Sequence, residues 1–137
     1  MMKRMNENFF QNVVESMPDG MWITDKQHRI IYANRAMAGI AGVGVDQIVG
    51  QSVLDGFSDP TLWFFRDHYH AAVNALKPQK YCCQVVTPGG RLTWQSGWLT
   101  PLLEEGEFSG MVCTVEDVTQ PILDLSLIHI SEPTRPY

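Results

Sequence analysis

From Asn6 to Met17, Phe9, Phe10, Val13, Val14 and Met17 recur three and four residues apart, a spacing that predicts an amphipathic helix. Pro18-Asp19-Gly20 stops it. Two short apolar runs follow, Met21 to Thr24 and Ile30 to Ala33, separated by the polar stretch Asp25 to Arg29, and they read as a β-hairpin. Asn34 is placed to cap the next helix through its side chain, with Met37 and Ile40 behind it. Gly39, Gly42 and Gly44 weaken that helix and end it early. Val45 to Val49 reads as a turn or two of helix closed by Gly50, and Leu54 and Phe57 fall in a loop-like stretch.

Asp59-Pro60 marks the start of a longer helix, since proline is tolerated in a first turn. It runs to about Leu76 before Pro78, and its apolar set includes Leu62, Trp63, Phe65, Tyr69, Val73 and Leu76. Three strands complete the chain: Lys80 to Thr87, Arg91 to Leu102 after a Pro88-Gly89-Gly90 turn, and Phe108 to Val118 after the acidic turn Glu104 to Glu107. This order predicts an α+β fold with a five-stranded antiparallel sheet and helices on one face. Such a sheet makes a cup that can hold a small molecule. No internal repeat is visible.

A chain of 137 residues is enough for one domain with one core. The formal net charge of −5 argues against nucleic-acid binding, which needs a basic face. No apolar run approaches the ~20 residues of a membrane span, and MMKRMNENFF lacks the apolar stretch of a signal peptide. Cys82, Cys83 and Cys113, odd in number and two of them adjacent, make a poor disulfide framework and fit a reducing cytoplasm. The string LSLIHISEPTRP, from Leu125 to Pro136, resembles the conceptual translation of a sequencing adapter read in frame. It is set aside with His129, and the natural sequence is expected to run on past Asp124 into a further domain.

Ser16-Met17-Pro18-Asp19-Gly20-Met21-Trp22-Ile23-Thr24-Asp25, followed by Ile30-Ile31-Tyr32-Ala33-Asn34-Arg35-Ala36, resembles the opening of a PAS domain. Val49-Gly50-Gln51-Ser52 is similar to its helix exit, and Gly90-Arg91 with Trp94 and Pro101 to its fourth strand. Gly110 to Thr119 is similar to its closing strand and Asp-x-Thr exit. The likeness spans roughly Phe9 to Gln120. It rests on the ordered set, since no single motif is diagnostic. It implies a flanking helix over residues 1–18, a sensory domain over 19–120, a linker over 121–124, and the set-aside tail over 125–137.

Alternation along strands then assigns the cup. Tyr81, Cys83 and Val85 share a face opposite Lys80, Cys82 and Gln84, and the charge and amide put the first set inside. Met111, Cys113 and Val115 share a face of the last strand. On the long strand, hydrophobicity alone would send Trp94 and Trp98 inward, whereas the resemblance implies that Gln95, Gly97 and Leu99 face the pocket; the resemblance is followed. It also implies Trp22 and Thr24 inside, with Met37, Ile40, Leu54, Trp63 and His68 completing the wall. A buried amide needs partners, so Gln95 is the first candidate to touch a polar ligand group, unless a neighbouring backbone group or water satisfies it. Gly97 either leaves room beside it or marks a bulge, and Cys83 and Cys113 read as small core residues.

The sequence names no particular ligand. Flavin-binding light sensors of this family carry a reactive cysteine after the glycine, and Gly50-Gln51-Ser52-Val53-Leu54 has none, so that photochemistry is not expected. Haem-binding relatives use a histidine on the long helix, but that position lands nearer Phe65. His68 and His70, two apart, face opposite sides, so at most one points inward; haem is not expected, with His68 the better-placed ligand. A metal site from Asp67, His68 and His70 lacks helical i, i+4 spacing, and His28 sits in a polar turn where solvation is expected.

No nucleophile elbow, phosphate loop, Cys-x-x-Cys or paired pocket carboxylates are present. Asp19, Asp25, Asp46, Asp59, Glu104, Glu105 and Glu107 fall in turns and caps. A non-catalytic sensor is therefore expected, coupled to a histidine kinase or diguanylate cyclase type of effector. The resemblance places its output at Asp117 and Thr119, which would bond where the last strand meets a signalling helix. The amphipathic first helix is expected to pack on the outer sheet face near Trp94 and Trp98 or to form a homodimer. Two alternatives stand beside this reading: a ligand-free dimerisation module whose bulky side chains fill the cup, and a small cup-shaped enzyme with His68 as base.

Overall fold

Asn34 stands where a strand ends and a helix begins, and its side chain does the work expected of a cap. In the computed structural model its backbone is extended and its Oδ1 accepts from the N–H of Met37 at 2.9 Å. The structure describes residues 2–54 and 62–130, with side chains over 8–54 and 65–125. The elements are α1 (Met2–Ser16), β1 (Gly20–Thr24), β2 (Ile30–Ala33), α2 (Arg35–Ala41), α3 (Val45–Ile48), α4 (Leu62–Ala75), β3 (Gln79–Val86), β4 (Leu92–Glu104), β5 (Glu107–Asp117) and α5 (Thr119–Ile130). Each predicted element is found, with ends displaced by a few residues. The expected Asp59-Pro60 helix start and Phe57 lie outside the described residues. α5 begins at Thr119 and continues through the first part of the set-aside tail.

The five strands form one antiparallel sheet in the order β2-β1-β5-β4-β3. The first and last strands are thus neighbours in its middle. The β1–β2 turn is held by Asp25, whose Oδ1 accepts from the N–H groups of Gln27 and Arg29 at 2.9 and 3.1 Å. Such side-chain-to-backbone bonds favour aspartate in turns. After α3, Gly50 to Val53 runs along the free edge of β2. Gly50 N–H donates to the Ile30 carbonyl, Ile30 N–H to Gln51, and Val53 N–H to His28. This covers the edge that would otherwise offer unpaired groups.

α2 ends at Gly42, whose φ of 73° is the left-handed conformation that glycine adopts without penalty. The β3–β4 turn docks on that helix end, with Gly89 N–H donating to the Ala41 carbonyl at 3.0 Å. A Cβ on Gly89 would stand 3.0 Å from the carbonyl oxygens of Ala41 and Gly42, so the approach needs glycine there. The core lies on the inner sheet face, where Trp22, Tyr81, Leu99, Met111, Cys113 and Val115 pack under α2, α3 and α4, with Tyr69 of α4 buried among them.

On β4, Thr93, Gln95 and Leu99 are buried while Trp98 is 47% exposed, so the tryptophan faces outward as the resemblance implied. Of the two arrangements expected of the first helix, packing on the outer sheet face is not seen in the single chain. Phe9, Phe10 and Val13 stay exposed rather than packing beside Trp94 and Trp98. α1 is instead held at its end: Val14 is buried and its carbonyl accepts from Asn34, while the Glu15 carboxylate accepts from the Tyr32 hydroxyl and the Arg35 N–H. These polar bonds pin the last turn of the helix and leave the preceding apolar stripe uncovered in the single chain.

Candidate ligand-binding site

Between the sheet and the short helices is a cavity of about 80 Å³. Trp22 from β1 and Ile30 from β2 form one wall, and Met37, Ala41 and Ile48 come from α2 and α3. Val53 follows α3, and Phe65 comes from α4. Val85, Val86, Thr87 and Pro88 at the end of β3, with Gln95 from β4, close the remaining side. The docked β3–β4 turn is what brings Thr87 and Pro88 beside Ala41.

Of the residues expected to line the cup, Trp22, Met37, Val85 and Gln95 do so. Tyr81, Cys83, Leu99, Met111, Cys113 and Val115 point inward but are packed into solid core, and Ile40 and Leu54 are partly buried against it. The expected pocket is therefore largely filled, and what remains open lies toward the β3–β4 turn. Trp63 has a side chain outside the described set. His68 is half-buried against the Tyr81 ring, 6.3 Å between centroids, and does not line the cavity. Ile30, Ala41, Ile48, Val53, Phe65, Val86, Thr87 and Pro88 were not expected as lining. The apolar spacing of Phe65 pointed inward, but only the docking of distant turns makes the others converge.

Gly97 does not leave room for a ligand. A Cβ there would meet the Thr114 carbonyl oxygen at 1.9 Å, so the space is filled by the backbone of β5. That carbonyl accepts from the Tyr81 hydroxyl at 2.9 Å, and Trp98 N–H turns to the Thr114 hydroxyl at 3.1 Å. Burial raises the Tyr81 hydroxyl well above the usual range for tyrosine, and it also raises the thiols of Cys113 and Cys83, the latter to about 11. Both buried cysteines are therefore neutral packing residues, and all three thiols are free.

His28 is not simply solvated either. Its ring is wedged between Tyr69 and Phe108, and its Nδ1 lies 2.8 Å from the Tyr69 hydroxyl. Tyr69 is fully buried, bonds Thr24 at 3.0 Å, and stacks on Trp22, so the β1–β2 turn is tied through α4 to the cavity wall. Burial, together with the nearby His70, holds the His28 imidazole below its usual value, against the opposing pull of Asp25. The folded chain then binds this proton less readily than the unfolded one. Its contribution to stability is full above the unfolded value of about 6.5 and is lost as pH falls below that toward the folded value. His28→Phe keeps a ring but takes no proton. It is expected to flatten the fall in thermal midpoint between pH 7.5 and pH 5; an unchanged slope would exclude His28 as its source.

The end of β5 is tied to β4 and α5 together. The Asp117 Oδ1 accepts from the Thr119 N–H at 3.0 Å and the Thr119 hydroxyl at 2.5 Å, and its Oδ2 meets Arg91 at 2.6 Å. The Thr119 hydroxyl in turn accepts from Trp94 N–H at 2.9 Å, and Val118 N–H donates to the Trp94 carbonyl. Partial burial pushes the Asp117 carboxyl up, but the Thr119 bonds and Arg91 outweigh it and hold it below the usual range. In the β4–β5 register Gln95 stands opposite Asp117, so a cavity residue and the exit carboxylate are cross-strand partners. The bonding expected of Asp117 and Thr119 is present. Among the described residues no cluster of three or more possible metal ligands occurs, and no helix is long and apolar enough to cross a membrane.

A curled antiparallel sheet with short helices over its inner face, left through a bonded strand–helix junction, defines a class of small α+β signalling module. The family model for the PAS fold matches residues 8–118, and the chain belongs to the PAS family. It is similar to the PAS domain of a protein from Colwellia psychrerythraea, at 18% identity and a TM-score of 0.73, covering 84% of this chain and 98% of that one. A PAS domain from a two-component sensor histidine kinase shows 14% identity and a TM-score of 0.68, with 84% and 98% covered. The PAS domain of Bordetella pertussis BvgS shows 18% identity and a TM-score of 0.63, with 94% and 98% covered. At these identities the likeness is one of fold. No curated protein matches the chain.

Proposed function

We propose that this chain is the sensory domain of a cytoplasmic signal-transduction protein, which binds a small molecule between sheet and helices and transmits its presence through α5. The observation that carries the reading is the pairing of Gln95 in the cavity wall with Asp117 at the exit, with Trp94 bonded to Thr119 beside it. A ligand that shifts β4 acts directly on the bonds that orient α5. Binding moves the balance between two arrangements only as far as the ligand prefers one of them. A histidine kinase or diguanylate cyclase following α5 fits this geometry as effector, and similarity to a PAS domain from a sensor histidine kinase supports the first.

Asp117→Ala is expected to leave the fold intact while loosening the junction. Hydrogen exchange should accelerate at the amides of Trp94, Val118 and Thr119 and stay unchanged in β1 and the middle of β5. Equal protection in both proteins would remove the junction role. Native mass spectrometry of the purified chain tests the ligand directly, since a retained small-molecule mass supports sensing.

The small cavity and filled core favour one other reading, a ligand-free module that pairs through Phe9, Phe10 and Val13 on α1 and the outer sheet face around Trp98. A clean apo mass combined with a dimer in sedimentation would select it.

A further inference from the structure

We infer that the cavity takes a small neutral molecule that brings its own hydrogen-bond donor, an alcohol-type ligand rather than an anion, an ether-like acceptor or a large planar cofactor. The inference rests on the ligand-binding reading above and names its ligand class.

The hydrogen bonds around Gln95 set the requirement. Thr93 is fully buried, and its hydroxyl donates to the Val85 carbonyl at 2.9 Å. A hydroxyl has one proton, so the Thr93 oxygen can only accept from Gln95, 3.1 Å away. The Gln95 amide must therefore turn its NH2 toward Thr93. Its carbonyl oxygen is the end of the side chain left without a protein partner, in a residue only 6% exposed that lines the cavity. That oxygen is open to the cavity, so a molecule that donates to it gains a hydrogen bond there that one offering only lone pairs cannot make.

The rest of the wall narrows the class. Among the described residues, Trp22 and Thr87 carry its other polar groups: the Thr87 oxygen already accepts from Arg91 N–H at 3.1 Å, while the Thr87 hydroxyl proton and the Trp22 indole N–H are donors. Among the described residues no charged side chain or histidine lines the cavity, so an ionic ligand would find no counter-charge among them. The volume of about 80 Å³ is roughly half that of an apolar cavity of about 150 Å³ known to admit benzene. About three to five non-hydrogen atoms follow from that ratio.

The test compares two isomers of equal size, 1-propanol and ethyl methyl ether, by NMR titration read at the Trp22 indole and Gln95 amide, with xenon as a probe of the empty space. Propanol is expected to saturate at concentrations at least tenfold lower than the ether. Gln95→Leu, which removes the acceptor, should bring the two within about twofold while xenon still enters. Thr93→Val, which releases the amide to rotate, should also reduce the preference, and it serves where the leucine variant does not fold. Equal binding of ether and propanol to the unmodified chain would overturn the donor requirement while leaving the cavity a binding site. Absence of any response to all three probes would overturn the ligand-binding reading itself.

Discussion

Gly97→Ala is expected to destabilise the domain by about 3 kcal/mol or more, seen as a large drop in urea midpoint or as failure to fold. The new Cβ would stand 1.9 Å from the Thr114 carbonyl oxygen and 2.7 Å from its carbon. The obstacle is backbone in a central strand pair, not the end of a flexible side chain. Relief requires β4 and β5 to separate, which also draws the Thr114 carbonyl away from the Tyr81 hydroxyl. Gly39→Ala is the matched control. Gly39 is exposed in α2 with nothing within 4 Å of its Cβ position, so alanine there should stabilise by about 0.5–1 kcal/mol through helix propensity. If Gly97→Ala melts within a degree of the parent, the close strand approach is not what Gly97 provides.

Asn34→Ala carries the second large effect, about 4 kcal/mol of lost stability. This amide is fully buried and makes four bonds. Its Oδ1 accepts from the N–H groups of Met21 and Met37, both at 2.9 Å, and its Nδ2 donates to the carbonyls of Val14 at 2.8 Å and Asp19 at 3.1 Å. One side chain thus joins α1, the loop after it, β1 and α2. Truncation leaves four backbone groups unpaired, two of them donors that bury with β1 and α2. Asn34→Asp separates the two halves of the role. It keeps an acceptor for Met21 and Met37 but turns a second oxygen toward two carbonyls. Burial and those carbonyls raise the new carboxyl, so its folded form holds a proton more tightly than its unfolded form. The deficit relative to the parent should then grow as pH rises through the folded value and shrink toward pH 4. A pH-independent deficit would mean that the donor bonds contribute little.

Asn34 also shows how far the residues alone could be read. Its place after an apolar run and before Met37 and Ile40 identified a cap, and the cap is there. Nothing in that local pattern reveals the bonds to Val14 and Asp19, because they depend on how α1 returns over the sheet. The exit was legible for a similar reason: Asp117 and Thr119 are two residues apart and bond locally, but the other partners, Arg91 and Trp94, lie far away in the chain, around the start of β4. His28 illustrates the converse. A histidine among Asp25, Lys26, Gln27 and Arg29 reads as solvated, and only the packing of α4 brings the Tyr69 hydroxyl against it.

Local periodicity, turn chemistry and caps were enough to determine the succession of helices and strands, the antiparallel sheet, and the inward face of β3 and β5, because each depends on neighbours in the chain. Alternation on β4 was ambiguous until burial separated Gln95 from Trp94 and Trp98. The strand order that sets β1 beside β5, the filling of the cup by Tyr81, Leu99 and Met111, and the small hollow left beside the β3–β4 turn were decided by tertiary structure alone. They arise from contacts between residues far apart in the chain, whose side-chain volumes must share one interior, and no local pattern records how that space is divided.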